Sequence, residues 1–164
     1  MSNLEFTKML LSEMRGLLKP LGYLKKGLIF EKDYSQIIHL IGLQKSRDST
    51  ALAIKVTVNL GVWLKSLTPI RAGRPDRPSV WDAHWRYRIG HLLPEKCDKW
   101  WWVTNDAEAQ MTAKEICSAL NKFALPKLGE IQTEDDLVSL WRNGICTGLT
   151  DLGIMKYLST IDSR

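Results

Sequence analysis

The residues best suited to chemistry in this sequence are two arginines and a histidine that alternate along one short segment. His84, Arg86 and Arg88 are spaced two apart, and in a strand such residues share one face. Two guanidinium groups on one face can clamp a phosphate or a carboxylate. The alternative interpretation is a solvent-facing edge strand, whose charges prevent pairing with other strands.

A basic, proline-rich loop at residues 65–80 precedes this segment. Its three arginines are Arg71, Arg74 and Arg77. Prolines bar sheet pairing, and unstructured connections of this length are uncommon in compact domains unless they serve a function. We therefore expect the three loop arginines to close over the arginine-bearing strand face and to bind a partner or an anion there.

Aromatic residues are concentrated in the same region. Six of the eleven Trp and Tyr residues are Trp81, Trp85, Tyr87, Trp100, Trp101 and Trp102. One interpretation is an aromatic platform for a protein interface or for stacked nucleic-acid bases; the other is that alternate members fill the core. Strand alternation requires Trp101 to face away from Trp100 and Trp102. Trp81 and Trp101 join the candidate contact residues.

The sequence has no recognisable metal or catalytic motif. Its three histidines and three cysteines show no ligand spacing, and it has no phosphate-binding glycine loop and no G-x-S-x-G elbow. We therefore expect no metal and no cofactor. His39 lies among isoleucines and a leucine, so we expect a hydrogen-bonded core histidine.

The strands that must position these residues follow from periodicity. Residues 51–64 alternate, and the apolar positions are Leu52, Ile54, Val56, Val58, Leu60, Val62 and Leu64. This pattern predicts a strand with one buried face and one mixed, accessible face. Further strands are predicted at 28–34, 36–45, 81–93 and 99–104, and the second of these is apolar on both faces. Short polar connections indicate an antiparallel meander.

Capping and breaker residues predict the helices. They run from Asn3 to Lys19, from Asn105 to Pro126, from Thr133 to Gly144, and from Thr150 onward. In the last helix the inward residues are expected to be Leu152, Met155, Leu158 and Ile161. The predicted fold class is α+β, with an antiparallel sheet of about five strands and with the N-terminal helix and C-terminal helices packed on one face. We expect a single domain over residues 1–164.

Composition and charge limit the class of protein. The chain has 164 residues, of which 45% are hydrophobic and 25% charged, as in soluble globular proteins. It has no evident spanning segment or signal peptide, and its cysteines are odd in number, so we expect a cytoplasmic protein without membrane contact. The net charge of +5 divides into +8 through Trp102 (17 basic, 9 acidic) and −3 beyond it (6 basic, 9 acidic). This asymmetry indicates either an anionic partner or a solvated, lysine-rich surface.

Five short stretches occur in a familiar order. They are residues 18–33, 41–46 (I-G-L-Q-K-S), 56–63 (V-T-V-N-L-G-V-W), 86–90 (R-Y-R-I-G) and 99–103 (K-W-W-W-V). Together they resemble the bacterial family labelled domain of unknown function 4304. The resemblance implies a small intracellular α+β domain and brings no catalytic residues. Some small bacterial domains of this kind accompany secreted toxins as immunity proteins, which suggests that role by association.

Three hypotheses follow. The leading one is a non-enzymatic intracellular domain that binds another protein, of the immunity type that neutralises a toxin. Its basic charge counts against a basic nuclease as the target. The alternative is a binder of nucleic acid or another anionic ligand through the Arg- and Trp-rich sheet and loop. A further alternative is an enzyme whose catalytic residues are scattered along the chain.

Overall fold

The computed structural model describes residues 2–67, 79–145 and 151–164. Within these ranges the α-helices are α1 (Asn3–Leu18), α2 (Asp106–Ala119), α3 (Leu125–Gly129), α4 (Glu134–Arg142) and α5 (Asp151–Asp162). The predicted capping residues begin three of them. Ser2 and Glu5 form a capping box at α1, Asn105 caps α2, and Thr133 and Asp136 form a second capping box at α4.

The strands form one antiparallel sheet. They are β1 (Leu24–Lys26), β2 (Ile29–Asp33), β3 (Ile37–Lys45), β4 (Ile54–Leu64), β5 (Trp85–Arg88) and β6 (Trp101–Val103). The order is β1-β2-β3-β4-β5, and β6 also pairs with β4. The predicted α+β class with an antiparallel sheet is confirmed. Strands β1 to β4 pair in consecutive order as a meander, whereas β5 and β6 both pair with β4.

Strands β5 and β6 share the same edge of β4 instead of pairing with each other. Residues Asn59 to Val62 of β4 pair with β5, whereas Ile54 to Val56 pair with β6. Between the two, the Thr57 hydroxyl donates to the Lys99 carbonyl at 2.7 Å. Residues 89–100 therefore leave this edge and return to it. The strand predicted at 81–93 is in fact only the four residues of β5, Trp85–Arg88.

The main core lies between the sheet and the helices. The even positions of β4 from Ile54 to Leu64 are fully buried there, together with Phe6, Leu10 and Met14 of α1 and Ile116 of α2. Helices α1 and α2 both belong to this cluster, so they cover the face that alternation predicted to be buried. Leu52 is an exception, with 73% of its surface exposed. It precedes β4 in a turn where the backbone N–H groups of Leu52 and Ala53 donate to the Thr50 hydroxyl.

The opposite sheet face is also largely covered, against the prediction of an accessible face. Residues 79–83 lie over it, and Val80 and Ala83 pack with Ile38, Leu40 and Trp63. Gly61 permits the close approach, since a Cβ there would lie 2.8 Å from that of Ala83. We call this side the outer face and the helix-covered side the inner face.

Two helix predictions are wrong in detail. The segment from α2 continues past Pro126, because a π-helical turn at Leu120–Ala124 leads directly into α3 and places this proline in the first turn. In α5, Leu152 and Met155 are exposed, and Ile154 is the buried residue. Leu158 and Ile161 are partly buried against the core as predicted. In the part of the chain that is described, no helix has the length and apolarity needed to cross a bilayer.

His39 is a hydrogen-bonded core residue, as predicted. Its Nε2 donates to the Ile131 carbonyl at 2.5 Å, and its Nδ1 lies 3.4 Å from the Tyr23 hydroxyl. A neutral ring with its proton on Nε2 satisfies both contacts. Burial lowers the pKa of His39 and raises that of Tyr23, so both groups stay neutral and tie β3 to the end of α3.

Candidate binding cleft

The outer face carries a cleft with a volume of about 660 Å³. Its lining residues are Asn59, Leu60, Val80, Trp81, Arg86, Tyr87, Arg88, His91 and Lys96. Strands β4 and β5 form its floor, and residues 80–81 and 91–96 form its walls. A volume of this size is in the range of small-ligand or side-chain pockets.

A smaller cleft of about 380 Å³ lies beside the first and shares Asn59, Val80 and Trp81 with it. Trp81 therefore stands as a ridge between two depressions. Its side chain is 57% exposed, although it belongs to the Val80–Asp82 turn, whose Val80 is buried against the sheet. The ring is thus presented to solvent by a packed turn, and such an arrangement is typical of interface anchors.

Arg88 is held rigidly in the floor of the larger cleft. Its Nη1 donates to both carboxylate oxygens of Asp98 at 2.9 Å, and its Nε donates to Asn59 at 3.2 Å. Partial burial opposes ionisation of Asp98, but the hydrogen bonds from Arg88 and Trp100 outweigh it and lower the Asp98 pKa. The charge of Arg88 is therefore compensated within the chain.

Arg86 lies directly opposite Gly61 in the register of β4 and β5, so no cross-strand side chain limits its position. Its Nη1 donates to the Trp81 carbonyl at 3.0 Å. This bond fastens the Trp81 turn to β5. Arg86 and Arg88 share one face, as predicted, and both line the larger cleft.

Lys96 has the most unusual backbone in the cleft wall. Its φ is +47°, the one positive value among the described non-glycine residues. The left-handed conformation costs a non-glycine residue on the order of 1 kcal/mol. The Lys96 N–H donates to the Leu93 carbonyl at 2.9 Å, which closes the turn that holds it. No ion pair of the described residues involves its ammonium.

A second aromatic group adjoins the larger cleft on the outer face. The Lys55 ammonium lies 5.5 Å from the ring centres of both Trp100 and Trp102, and the Arg88 guanidinium lies 5.2 Å from that of Trp100. Lys55 also pairs with Asp48 at 2.7 Å. These contacts make an alternating stack of cations and indole rings, in which Trp102 is 49% exposed.

The family model described as "Domain of unknown function (DUF4304)" matches residues 14–130. The chain belongs to this family. No curated protein and no solved structure matches the chain. The DUF4304 match contains the whole sheet and every lining residue of both clefts, and it ends one residue after α3.

Two predicted contact residues of this DUF4304 chain lie in its interior. Trp101 is buried under α2, and its Nε1 donates to Glu115 at 2.7 Å. His84 is also buried, with its Nδ1 accepting from the Leu64 N–H at 2.9 Å and its ring edge-on to Trp63 and Tyr157. Burial lowers the His84 pKa to about 4. Neither side chain is available to a partner, because helices and strands already pack around both.

The three loop arginines, Arg71, Arg74 and Arg77, lie outside the described residues of the DUF4304 chain. The ends of their loop are described. Lys65–Leu67 forms a 3₁₀ turn after β4, and Ser79, at the other end, lines the smaller cleft. The predicted residues that the structure does bring together are Trp81, Arg86 and Arg88.

Sequence reasoning missed Lys96 and Asn59. The signal for Lys96 is the short Pro94-Glu95-Lys96-Cys97-Asp98 connection between the predicted strands 81–93 and 99–104. Asn59 occupies an odd position of β4 and is the one amide side chain of that strand. Its Nδ2 donates to Gln44 at 2.7 Å, so it links β3 to Arg88 of β5. Among the described residues, no group of three His, Cys, Asp or Glu side chains is placed to hold a metal ion.

Proposed function

We propose that this protein is a non-enzymatic binding domain for another protein, and that its contact surface is the outer face with both clefts. The observation that carries the proposal is the exposed Trp81 ridge between two depressions. A large aromatic side chain on a rigid turn costs little conformational entropy on binding. Arg86, whose Nη1 donates to the Trp81 carbonyl, is also a residue type enriched at protein interfaces.

The charges of the outer face favour a protein over a nucleic acid as the partner. Nucleic acids bind through rows of unpaired cations that displace counterions from the phosphates. Here Arg88 is paired with Asp98, and Lys55 is paired with Asp48. Both pairs lower the local positive potential while leaving polar groups at the rim, as is usual at protein interfaces.

The specific form we propose is an immunity-type role in the bacterial cytoplasm, in which the partner is a toxin. Its support is the association of small bacterial domains with toxins and the free thiols of Cys97 and Cys117, which suit a reducing compartment. Because the chain is basic, the expected target has an acidic contact surface. A toxin gene adjacent to this one is expected, and co-expression should relieve that toxin's effect on growth.

Site-specific photo-crosslinking tests the binding proposal. A benzoylphenylalanine at Trp81 should give a discrete protein adduct in cells, identified by mass spectrometry. The matched control is Met111, which is 58% exposed on α2 and lies on the opposite side of the sheet. Equal adducts from both positions, or none from Trp81, would contradict the proposal. With the purified partner, Trp81→Ala should weaken binding at least roughly tenfold.

The nucleic-acid alternative is tested separately by fluorescence anisotropy with a labelled oligonucleotide at two ionic strengths. Phosphate contacts would give a log–log salt slope of about −0.7 per contact on single strands. Binding with such a slope would indicate that the partner is a nucleic acid and not a protein. Absence of binding at low salt would end that alternative.

A further inference from the structure

We infer that the larger cleft is a receptor for a carboxylate side chain of an acidic partner segment, with Lys96 as the residue that captures it. The inference rests on the proposed function, because it names the chemistry of the partner at that surface. It depends on three features: the placement of Lys96, the compensated charge of Arg88 and the apolar wall beside them.

The first feature is the backbone of Lys96. A lysine on an exposed turn has no packing reason to occupy the left-handed region, where glycine or asparagine would be favoured. The side chain contributes to the cleft wall and not to the core. Strained positions that lack a structural benefit are characteristic of binding sites. We infer that the strained conformation is retained because it places the Lys96 ammonium at the cleft.

The second feature is the difference between Arg88 and Lys96. The third basic side chain of the cleft, Arg86, donates to the Trp81 carbonyl. Arg88 is fixed by Asp98, Asn59 and Gln44, so it shapes the floor and has its charge compensated. Lys96, in contrast, has no carboxylate partner among the described residues. An ammonium without a carboxylate partner in the chain suits one carboxylate, whereas a polyanion needs several cations in a row.

The third feature is the apolar character of the opposite wall. Val80 and Trp81 border both clefts. Such a wall accommodates the apolar residues that flank an acidic side chain in a protein segment. It also lowers the local dielectric constant, which strengthens the pairing between ammonium and carboxylate.

The test uses two capped tripeptides, Ac-Leu-Glu-Leu-NH₂ and Ac-Leu-Gln-Leu-NH₂, titrated into the full ¹⁵N-labelled chain. The glutamate peptide should shift the Trp81 indole and Lys96 amide signals saturably, and the glutamine peptide should bind at least roughly tenfold more weakly. Equal affinities for the two peptides would overturn the inference.

Variants of Lys96 separate its binding role from its structural role. Lys96→Gly and Lys96→Asn remove the ammonium and accept the left-handed backbone, so each should lose about tenfold in affinity for the glutamate peptide. Their melting temperatures should be unchanged or higher, by roughly 2–4 °C for glycine. Lys114→Gln is the control, since it removes the same charge from the exposed side of α2 and should change neither quantity. Unaltered peptide affinity in the Lys96 variants would overturn the inference.

Two further outcomes distinguish the inference from the proposal beneath it. If Trp81 crosslinks to a protein but neither peptide binds, the protein-binding function stands and the carboxylate receptor falls. If an oligonucleotide alone titrates the cleft, and Lys96→Gly abolishes this, the ligand is nucleic acid and both fall.

Discussion

At the scale of single residues, His84 shows that a buried histidine stays uncharged and so cannot serve as an anion ligand. His84 was predicted as a candidate anion ligand, yet it lies behind Trp63 and Tyr157 with its Nδ1 bonded to the Leu64 N–H. A ring in that environment stays neutral at physiological pH, so it cannot attract an anion. Its role is to fix the junction between β4 and β5.

His84 should therefore make stability depend on pH. Its pKa is about 4 in the folded chain against 6.5 when exposed. Below pH 6.5 the imidazole of His84 is protonated in the unfolded chain but not in the folded chain. The free energy of unfolding should therefore fall between pH 6.5 and pH 4, by on the order of 3 kcal/mol. Urea denaturation at pH 7.5 and pH 5 should show about 2 kcal/mol of this loss, because the remainder develops between pH 5 and pH 4.

Two variants identify the source of that pH dependence. His84→Asn keeps an acceptor for the Leu64 N–H and removes the titrating ring, so it should lose less stability at pH 5 than the original chain loses. His91→Gln, at an exposed position, should retain the original pH dependence. An unchanged pH dependence in His84→Asn would show that another group, such as His39, dominates.

At the scale of elements, the wall of the larger cleft depends on one glycine. Gly90 begins the excursion from β5, and residues 97–99 return directly over it. A Cβ at Gly90 would lie 2.8 Å from that of Lys99 and closer still to the Cys97 carbonyl oxygen. No flexible side-chain end can move aside there, because the obstacle is backbone.

Gly90→Ala should consequently destabilise the chain by about 2–3 kcal/mol, as overpacking against backbone does. Gly16→Ala is the matched control in α1, where a new Cβ meets nothing within 4 Å. That change should raise the free energy of unfolding by roughly 0.5–1 kcal/mol, through the higher helix propensity of alanine. Thermal unfolding of both variants checks the pair. If Gly90→Ala and Gly16→Ala changed the free energy of unfolding by the same amount and in the same direction, the close approach at Gly90 would be contradicted.

The sequence predicted which residues share a strand face but not which face is covered. Alternation placed Trp101 opposite Trp100 and Trp102, and the structure confirms this. The choice of Trp101 as a contact residue was wrong because α2 covers its side, and a two-residue period carries no information about a distant helix. The cover on the outer face was missed for the same reason, since Val80 and Ala83 reach Gly61 only through tertiary packing. Local signals such as the two capping boxes were predictable because they act within four residues.

At the scale of the whole molecule, stability depends on the face of β4 that α1 and α2 cover. Every even position from Ile54 to Leu64 is fully buried on it. The same alternation includes Leu52, which is exposed in the preceding turn. A charged side chain should therefore cost little stability at Leu52 and much more at the buried even positions of β4.

Val56→Asp should unfold the chain, because a buried carboxylate without a partner costs several kcal/mol. Leu52→Asp should change the free energy of unfolding by no more than about 0.5 kcal/mol, as is usual at exposed sites. Circular dichroism with urea titration compares the two. A cooperative, folded Val56→Asp variant would mean that the helices do not pack on this face.

The division of one edge of β4 between β5 and β6 also bears on how copies of the protein behave in a crowded solution. An open sheet edge is a template on which a second chain can add a strand, and long flat edges promote aggregation. Here the outermost strands on that side are four and three residues long, with the 89–100 excursion between them. On the other side, β1 has three residues, of which Lys25 and Lys26 are charged. Neither boundary offers an uninterrupted ladder of free backbone groups, so the sheet is protected from edge-to-edge polymerisation while its outer face stays available for specific contact.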